Sequence, residues 1–449
     1  MTAPAASLPV PSAARRTDRL TVAAWALWDW GSAAFNAVLV TFIFSVYLTD
    51  SVGKQIDSSH TPAQWLSWSM TAAGLVIFAV TPIMGQRSDR RGSRRRALAF
   101  WSAATFAVMA LLFFVRNDAP VYFWLGLAGL AVGSVTMQFA EVNYFAQLKQ
   151  VAAPERVGRV SGLGWSAGYT GGIVLLLICY FGFVATGSTP GTAGALNLPT
   201  DGGWNMRLVA LLAALWFGVS AIPVLLRVPE IPASGEDTGS IIASYRALFA
   251  TLRELWHEDR NAFYFLFASA VFRDGLSAVF SFGAVLGVSV YGLSAGDVLI
   301  FGVAANVAAA LGAVLGGLLD DHVGPKAIIL TCLGILTSMA LVMFFASGPL
   351  AFWICGLILC LCVGPAQASA RGFLARVAPP GREGQMFGLY ATTGRAVSWL
   401  APLLFGLFVS WFGDGDRGGV LAIGLVLAVG ALLLIPVKDP TKNGATPAA

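Results

Sequence analysis

Apolar residues run along this chain in blocks of about 20, divided by short polar breaks rich in Gly, Pro and Arg. They neither alternate strictly nor keep to one face of a helical period. The pattern predicts helices that are apolar all round and long enough to cross a bilayer. Twelve are expected, near residues 23–49, 63–85, 97–115, 121–147, 159–185, 205–226, 261–290, 293–318, 327–346, 349–375, 385–412 and 418–436. One break is longer than the others. Residues 227–260 open with a Pro/Gly/Ser-rich, acidic piece and continue with Ile241, Ile242, Tyr245, Leu248, Phe249, Leu252, Leu255 and Trp256 at amphipathic spacing. We read them as a linker ending in a helix that lies on the membrane surface. The chain then divides into a six-helix bundle at 1–226, the linker at 227–260 and a second six-helix bundle at 261–449.

Composition agrees with this reading. Of 449 residues 57% are hydrophobic and 11% charged, where a soluble protein carries about 25% charged residues. A soluble enzyme is therefore excluded. Arg15, Arg16 and Arg19 precede an apolar run that continues to about Leu48, too long for the core of a signal peptide, so it is expected to stay as the first span. The basic residues fall unevenly about the twelve helices. With the N-terminus inside, the inner segments hold 21 Lys and Arg, and the outer loops only Lys54, Arg116 and Arg417. That asymmetry predicts an integral cell-membrane protein, in a prokaryote the plasma membrane, with both termini cytoplasmic. Net charge +5 therefore points to topology and not to nucleic acid. Cys179, Cys332, Cys355, Cys360 and Cys362 lie in apolar runs, and His60, His257 and His322 are scattered, so neither a disulfide framework nor a metal or cofactor site is expected. No phosphate-binding Gly-x4-Gly-Lys-Ser/Thr loop is present.

The two halves repeat. Asp29-Trp30-Gly31-Ser32-Ala33-Ala34-Phe35 aligns with Asp274-Gly275-Leu276-Ser277-Ala278-Val279-Phe280. After helix 2 stands Gly85-x3-Asp89-Arg90-x-Gly92-x-Arg94, and after helix 8 Gly317-x3-Asp321-His322-x-Gly324-x-Lys326. Helix 5 opens with Gly158-x3-Gly162-Leu163 and helix 11 with Gly384-x3-Gly388-Leu389. Three matches in the same order indicate a duplicated six-helix unit. In the loop after helix 2, Asp89 beside several arginines can bond to a helix end and basic side chains, forming a latch that a conformational change would break.

This loop, its degenerate copy and the six-plus-six layout resemble the major facilitator superfamily. The resemblance implies an all-α membrane fold of two pseudo-symmetric bundles rocking about a central site. Trp28-Asp29-Trp30-Gly31-Ser32-Ala33-Ala34-Phe35 is similar to the Tyr-Asp-Trp-Ala-Asn-Ser-Ala-Phe signature of the vacuolar effluxer (autophagy-related permease) family and its bacterial relatives. Segments Ser161–Gly172, Asp274–Leu276, Gln367–Arg371 and Phe387–Arg395 fit the same family. Departures are Ser32-Ala33 in place of Asn-Ser, and Gln147 where a Pro is expected. The resemblance implies a permease, with amino-acid export as the family's best-known activity.

Six charges fall inside the predicted spans: Asp29, Glu141 and Asp274 against Arg273, Arg371 and Arg395. Each costs about 3 kcal/mol or more at depth, so pairing or a wet cavity is expected. The resembled fold lines its cavity with helices 1, 4, 7 and 10. Asp29, Gln138, Glu141, Arg273, Asp274, Gln367, Arg371 and Arg395 are therefore the candidates for a solute and proton site, and static interhelical bridges are the alternative. Glu141 and Arg371, at similar depth, are expected to face one another across the cavity as an ion pair or as the two grips on a zwitterion. Asp29 and Asp274 are expected to share a gating or proton-binding role. The glycines Gly164, Gly168 and Gly172 suit close helix packing. The expected protein is a monomeric secondary transporter of a small polar solute, an amino acid among the candidates, coupled to protons; an uncoupled facilitator and a non-transporting scaffold or sensor are the alternatives.

Overall fold

The computed structural model describes residues 18–230, 245–246, 250, 253–257, 259–293, 295–412 and 417–441. Twelve helices in it are long and apolar enough to span a membrane. We number them α1 (Arg19–Gln55), α2 (Gln64–Arg90), α3 (Arg94–Phe114), α4 (Pro120–Val151), α5 (Pro154–Val184), α6 (Asp201–Arg227), α7 (Arg260–Gly283), α8 (Ile300–Val323), α9 (Pro325–Phe345), α10 (Pro349–Val377), α11 (Glu383–Phe412) and α12 (Arg417–Leu434). Their starts follow local chemistry. The Asp18 carboxylate accepts from the Leu20 and Thr21 amides at 3.2 Å each. Thr61 and Gln64 form a reciprocal capping box before α2. Pro120, Pro325 and Pro349 sit in the first turn, where a missing amide hydrogen costs nothing.

Large apolar side chains remain exposed all around the molecule: Leu226, Phe345, Leu350 and Trp411 are each more than 70% exposed. In water that surface would drive aggregation; against lipid it is the solvated face. Within the first six spans α1 packs on α5 and α6, α3 on α4 and α6, and α2 on α4. Within the last six, α7 packs on α11 and α12, α9 on α10 and α12, and α8 on α10. The two sets meet chiefly through α2 against α11 and α5 against α8. Exchanging the halves turns one of these contacts into the other.

Two helices depart from the expected continuous rods. In α1 the stretch Ala34–Phe42 is a π-helix, which widens the turn, and the chain kinks at Ile43. α11 is broken: Glu383–Val397 and Leu400–Phe412 are separate helices. At the opposite end from the termini, the loop after α5 carries a small hairpin in which Thr192–Ala193 pairs antiparallel with Leu198–Pro199. The amphipathic helix expected at Ile241–Trp256 lies mostly outside the described residues. Of its members, Tyr245 donates its hydroxyl to the Ala79 carbonyl at 2.9 Å, and Leu255 is buried.

Candidate functional site

Three layers of polar contact join the two halves, beginning at the end that carries the termini. There α2 crosses α11 so closely that a Cβ on Gly85 would overlap the Gly384 carbonyl, while Gly388 packs on the backbone of Pro82. Only glycine permits this approach. Over the crossing, Asp89 accepts from Arg94 Nε at 2.6 Å and from the Gln385 amide at 2.8 Å. Arg94 donates onward to Glu383 at 2.5 Å. Lys149, at the end of α4, donates to the Ala378 carbonyl and lies 3.8 Å from Glu383. Asp89 and Arg94 are each 2% exposed, so these are desolvated, charge-assisted bonds.

The second crossing repeats the first with different side chains. α5 meets α8 through Gly158, Gly162 and Gly317, where a Cβ on Gly317 would lie 2.6 Å from the Gly158 carbonyl oxygen. Asp321 accepts from the Gly158 and Arg159 amides at 2.8 and 3.0 Å, placing a carboxylate at the start of a helix. Lys326, which holds the place of Arg94 in the repeated motif, does not join in: it donates to the Ile435 carbonyl within its own half. Its place is taken by Arg376 from α10, which pairs with Asp320 at 2.6 Å and Asp321 at 3.2 Å. Gly92 and Gly324 turn the two loops at φ +61° and +91°, and Arg90 lies in the last turn of α2.

The next layer lies about 9 Å further in, at ~1.5 Å per residue from the end of α10. Arg371, 1% exposed, donates Nη1 to Asp29 at 3.0 Å, Nε to the Ser161 hydroxyl at 2.9 Å and Nη2 to the Ser161 carbonyl at 2.5 Å. Its guanidinium also lies 4.9 Å from the ring centres of Trp25 and Phe145 and 5.5 Å from that of Trp165. Gly164 leaves room for it, since a Cβ there would stand 2.7 Å from Arg371 Nη2 and 2.9 Å from Asp29 Oδ2. The expected opposition of Arg371 and Glu141 is thereby corrected: Arg371 turns toward α1 and α5 and is fully engaged there. Equal depth had suggested the pairing, but depth says nothing of azimuth about a helix axis, and the small residues of α5 set that azimuth.

Beyond this layer opens a cavity of about 370 Å³ lined by Gln138, Arg273, Asp274, Ser277, Ser281 and Arg395, among others. Gln138 donates to Glu141 at 2.7 Å. The cations within electrostatic reach of Glu141 are Arg273 and Arg395. Arg273 donates to the Tyr390 carbonyl at 2.9 Å and stacks on its ring at 3.6 Å. Arg395 is exposed to the cavity, and its guanidinium makes no ion pair among the described residues. Asp274 is bonded differently from Asp29. It accepts from the Ala401 amide at 2.7 Å and so caps the second piece of α11 at its break. Gln367 stands one turn from Arg371 on α10, outside the cavity lining. Glu383, Arg376, Asp320, Lys149, Ser161 and Trp25 were not singled out from sequence. Only the neighbouring Asp320-Asp321 pair and the Ser161–Gly172 segment gave any sign of them.

Known proteins share this architecture. The model of the vacuole effluxer Atg22-like family matches residues 145–444, and that of the major facilitator superfamily residues 3–176. A Bacillus subtilis protein described as the uncharacterized MFS-type transporter YxiO is 23% identical over 93% of this chain and 95% of its own. Autophagy-related protein 22-1 of Aspergillus fumigatus is 24% identical over 65% of this chain, which spans half the length of that relative. Among solved structures, the proton:xylose symporter XylE superposes with a TM-score of 0.68 at 14% identity, covering 94% of this chain and 95% of XylE.

Proposed function

The chain belongs to the vacuole effluxer Atg22-like family of the major facilitator superfamily, and from that membership we propose that it is a proton-coupled carrier of amino acids working by alternating access. It is a membrane transporter and not an enzyme. The observation that carries the finer reading is the charge arrangement of the cavity. α4 presents Gln138 to the cavity, hydrogen-bonded to Glu141, and the cavity is also lined by Arg273 and Arg395 from the other half, the cations within electrostatic reach of Glu141. Cations in the lining, with a carboxylate hydrogen-bonded to the lining residue Gln138, suit the carboxylate and ammonium of a zwitterion. The volume falls in the range of about 300–1,000 Å³ usual for small-molecule sites. A neutral sugar would gain little from a guanidinium that makes no ion pair among the described residues, whereas an anionic group forms the stronger charge-assisted bond.

By the distribution of Lys and Arg, the end carrying the termini faces the cytoplasm. Two glycine crossings, two carboxylate latches and the Arg371 layer close that end, so this conformation admits solute from the opposite side. Closing over the solute and releasing it inward requires all three layers to part. Glu141 is within electrostatic reach of Asp29 and of the cavity cations Arg273 and Arg395, so a proton on it changes its balance with them. We assign it the coupling role.

Two variants separate these roles. Arg395→Gln removes a charged hydrogen-bond partner worth about 1.5–3 kcal/mol, and is expected to weaken amino-acid binding roughly 10- to 100-fold. A thermal-shift titration of purified protein with leucine, lysine, glucose and a nucleoside reads this directly. Glu141→Gln is expected to lose accumulation driven by a pH gradient in proteoliposomes while retaining solute exchange. Equal stabilisation by glucose and leucine would argue against the zwitterion, and pH-driven accumulation intact in Glu141→Gln would argue against the coupling role.

A further inference from the structure

Every group that holds the Arg371 guanidinium belongs to the first half of the chain. Trp25 and Asp29 come from α1, Phe145 from α4, and Ser161 and Trp165 from α5. Arg371 itself enters from α10. The three rings, the carboxylate and the Ser161 carbonyl together form a box that satisfies a planar, forked cation on its edges and faces at once. Its walls are supported independently of Arg371: Trp25 stacks on Tyr144 at 4.4 Å and donates Nε1 to the Tyr144 carbonyl at 3.2 Å, and Tyr144 is in turn stacked on Trp28 at 4.3 Å. The indole N–H of Trp165 is buried and has no hydrogen-bond partner among the described residues. The box thus keeps its shape and carries a donor that Arg371 leaves unused.

We propose that this box is a binding site for a guanidinium-bearing solute, and that Arg371 occupies it as a tethered stand-in while the terminal end is closed. The inference rests on the alternating-access reading and deepens it. When the halves part at that end, α10 withdraws Arg371, and the box with its Asp29 carboxylate opens to the side from which Arg371 left. A solute guanidinium takes the vacated place, with the Trp165 N–H available to an acceptor group of the solute. Glu141 is within electrostatic reach of Asp29 at the edge of the box. The solute class this geometry favours is a basic amino acid or an amine derived from one. Because the stand-in and the solute exclude one another, a bound guanidinium also favours the state open at the terminal end.

Competition gives the test. Agmatine is titrated into the purified full-length protein in nanodiscs, and thermal unfolding is followed for wild type, Arg371→Ala and Arg371→Lys, with leucine as the comparison solute. Agmatine is expected to stabilise Arg371→Ala at a concentration at least tenfold below that needed for wild type, and the gain is expected to vanish when Asp29→Asn or Trp165→Leu is added. Arg371→Lys keeps the charge without the fork and is expected to lie between wild type and Arg371→Ala; it replaces Arg371→Ala if that variant does not fold. An agmatine affinity unchanged or weakened by removing Arg371, or a gain that persists with Asp29→Asn, overturns the proposal. Leucine stabilisation that depends on Arg395, with no agmatine effect on Arg371→Ala, leaves the carrier reading standing and the box refuted. Agmatine binding to Arg371→Ala, with no amino acid stabilising wild type, upholds the box and removes support from the Glu141/Arg395 site.

Discussion

Arg371→Ala is expected to abolish transport and to destabilise the purified protein by about 3–5 kcal/mol, the usual cost of leaving one member of a buried ion pair behind. The remaining Asp29 carboxylate is 13% exposed and loses its only charged partner in the described structure. The Ser161 carbonyl and hydroxyl lose their donors at the same moment. Asp29→Asn alone is expected to be milder, because Arg371 keeps Ser161 and three aromatic faces. Combining Asp29→Asn with Arg371→Gln removes both charges and is expected to recover most of the stability, within about 1–2 kcal/mol of wild type, without recovering transport. Wild type, Asp29→Asn, Arg371→Gln and the Asp29→Asn/Arg371→Gln double, unfolded chemically or thermally and followed by tryptophan fluorescence, form a double-mutant cycle whose coupling is expected to be large. Equal destabilisation by the two single substitutions, with simple additivity in the double, would mean that the pair does not hold the halves together.

Gly85→Val and Gly317→Val are each expected to reduce transport at least tenfold by keeping the terminal end from closing. A Cβ on Gly85 overlaps the Gly384 carbonyl, and one on Gly317 stands 2.6 Å from the Gly158 carbonyl oxygen. Both obstacles are helix backbone and not the tip of a side chain. Relief therefore requires two helices to separate, and overpacking of this kind costs about 1–3 kcal/mol or more. The two substitutions occupy equivalent places in the repeat, so they are expected to push the same equilibrium in the same direction. Reactivity of a cysteine placed at Ser161, fully buried in this state, checks the direction: maleimide labelling is expected to speed up in both variants. Unchanged labelling with lost transport would show that the glycines serve some step other than closure.

Much of this is legible in the sequence. Blocks of apolar residues and the asymmetry of Lys and Arg gave spans and their count, because a bilayer imposes length and composition on each helix separately. The repeated Gly-x3-Asp and Gly-x3-Gly motifs marked the crossings, since close approach of two backbones leaves few residue choices. Pairing inside the membrane was less accessible. Arg371 was matched to Glu141 on depth, and Asp274 to Asp29 on repeat position. Which way each side chain faces depends on the small residues of the neighbouring helix and, for Asp274, on a break in α11 that the apolar run 385–412 did not betray. Lys326 likewise kept its place in the motif while its task passed to Arg376, a residue 50 positions further along the chain.

The central claim is that the two halves rock about the cavity, with the latches holding the terminal end shut. Spin labels at Arg96 and His322 report the separation of the halves at that end, and labels at Lys54 and Leu350 report it at the other; all four positions are exposed. Distances measured by pulsed electron resonance in nanodiscs, in the wild-type background and with Asp89→Asn, test the claim. Asp89→Asn weakens the bonds to Arg94 and Gln385, so the account predicts that the 96–322 distance lengthens while the 54–350 distance shortens. Distances that stay fixed in both pairs, or that lengthen together, would contradict it.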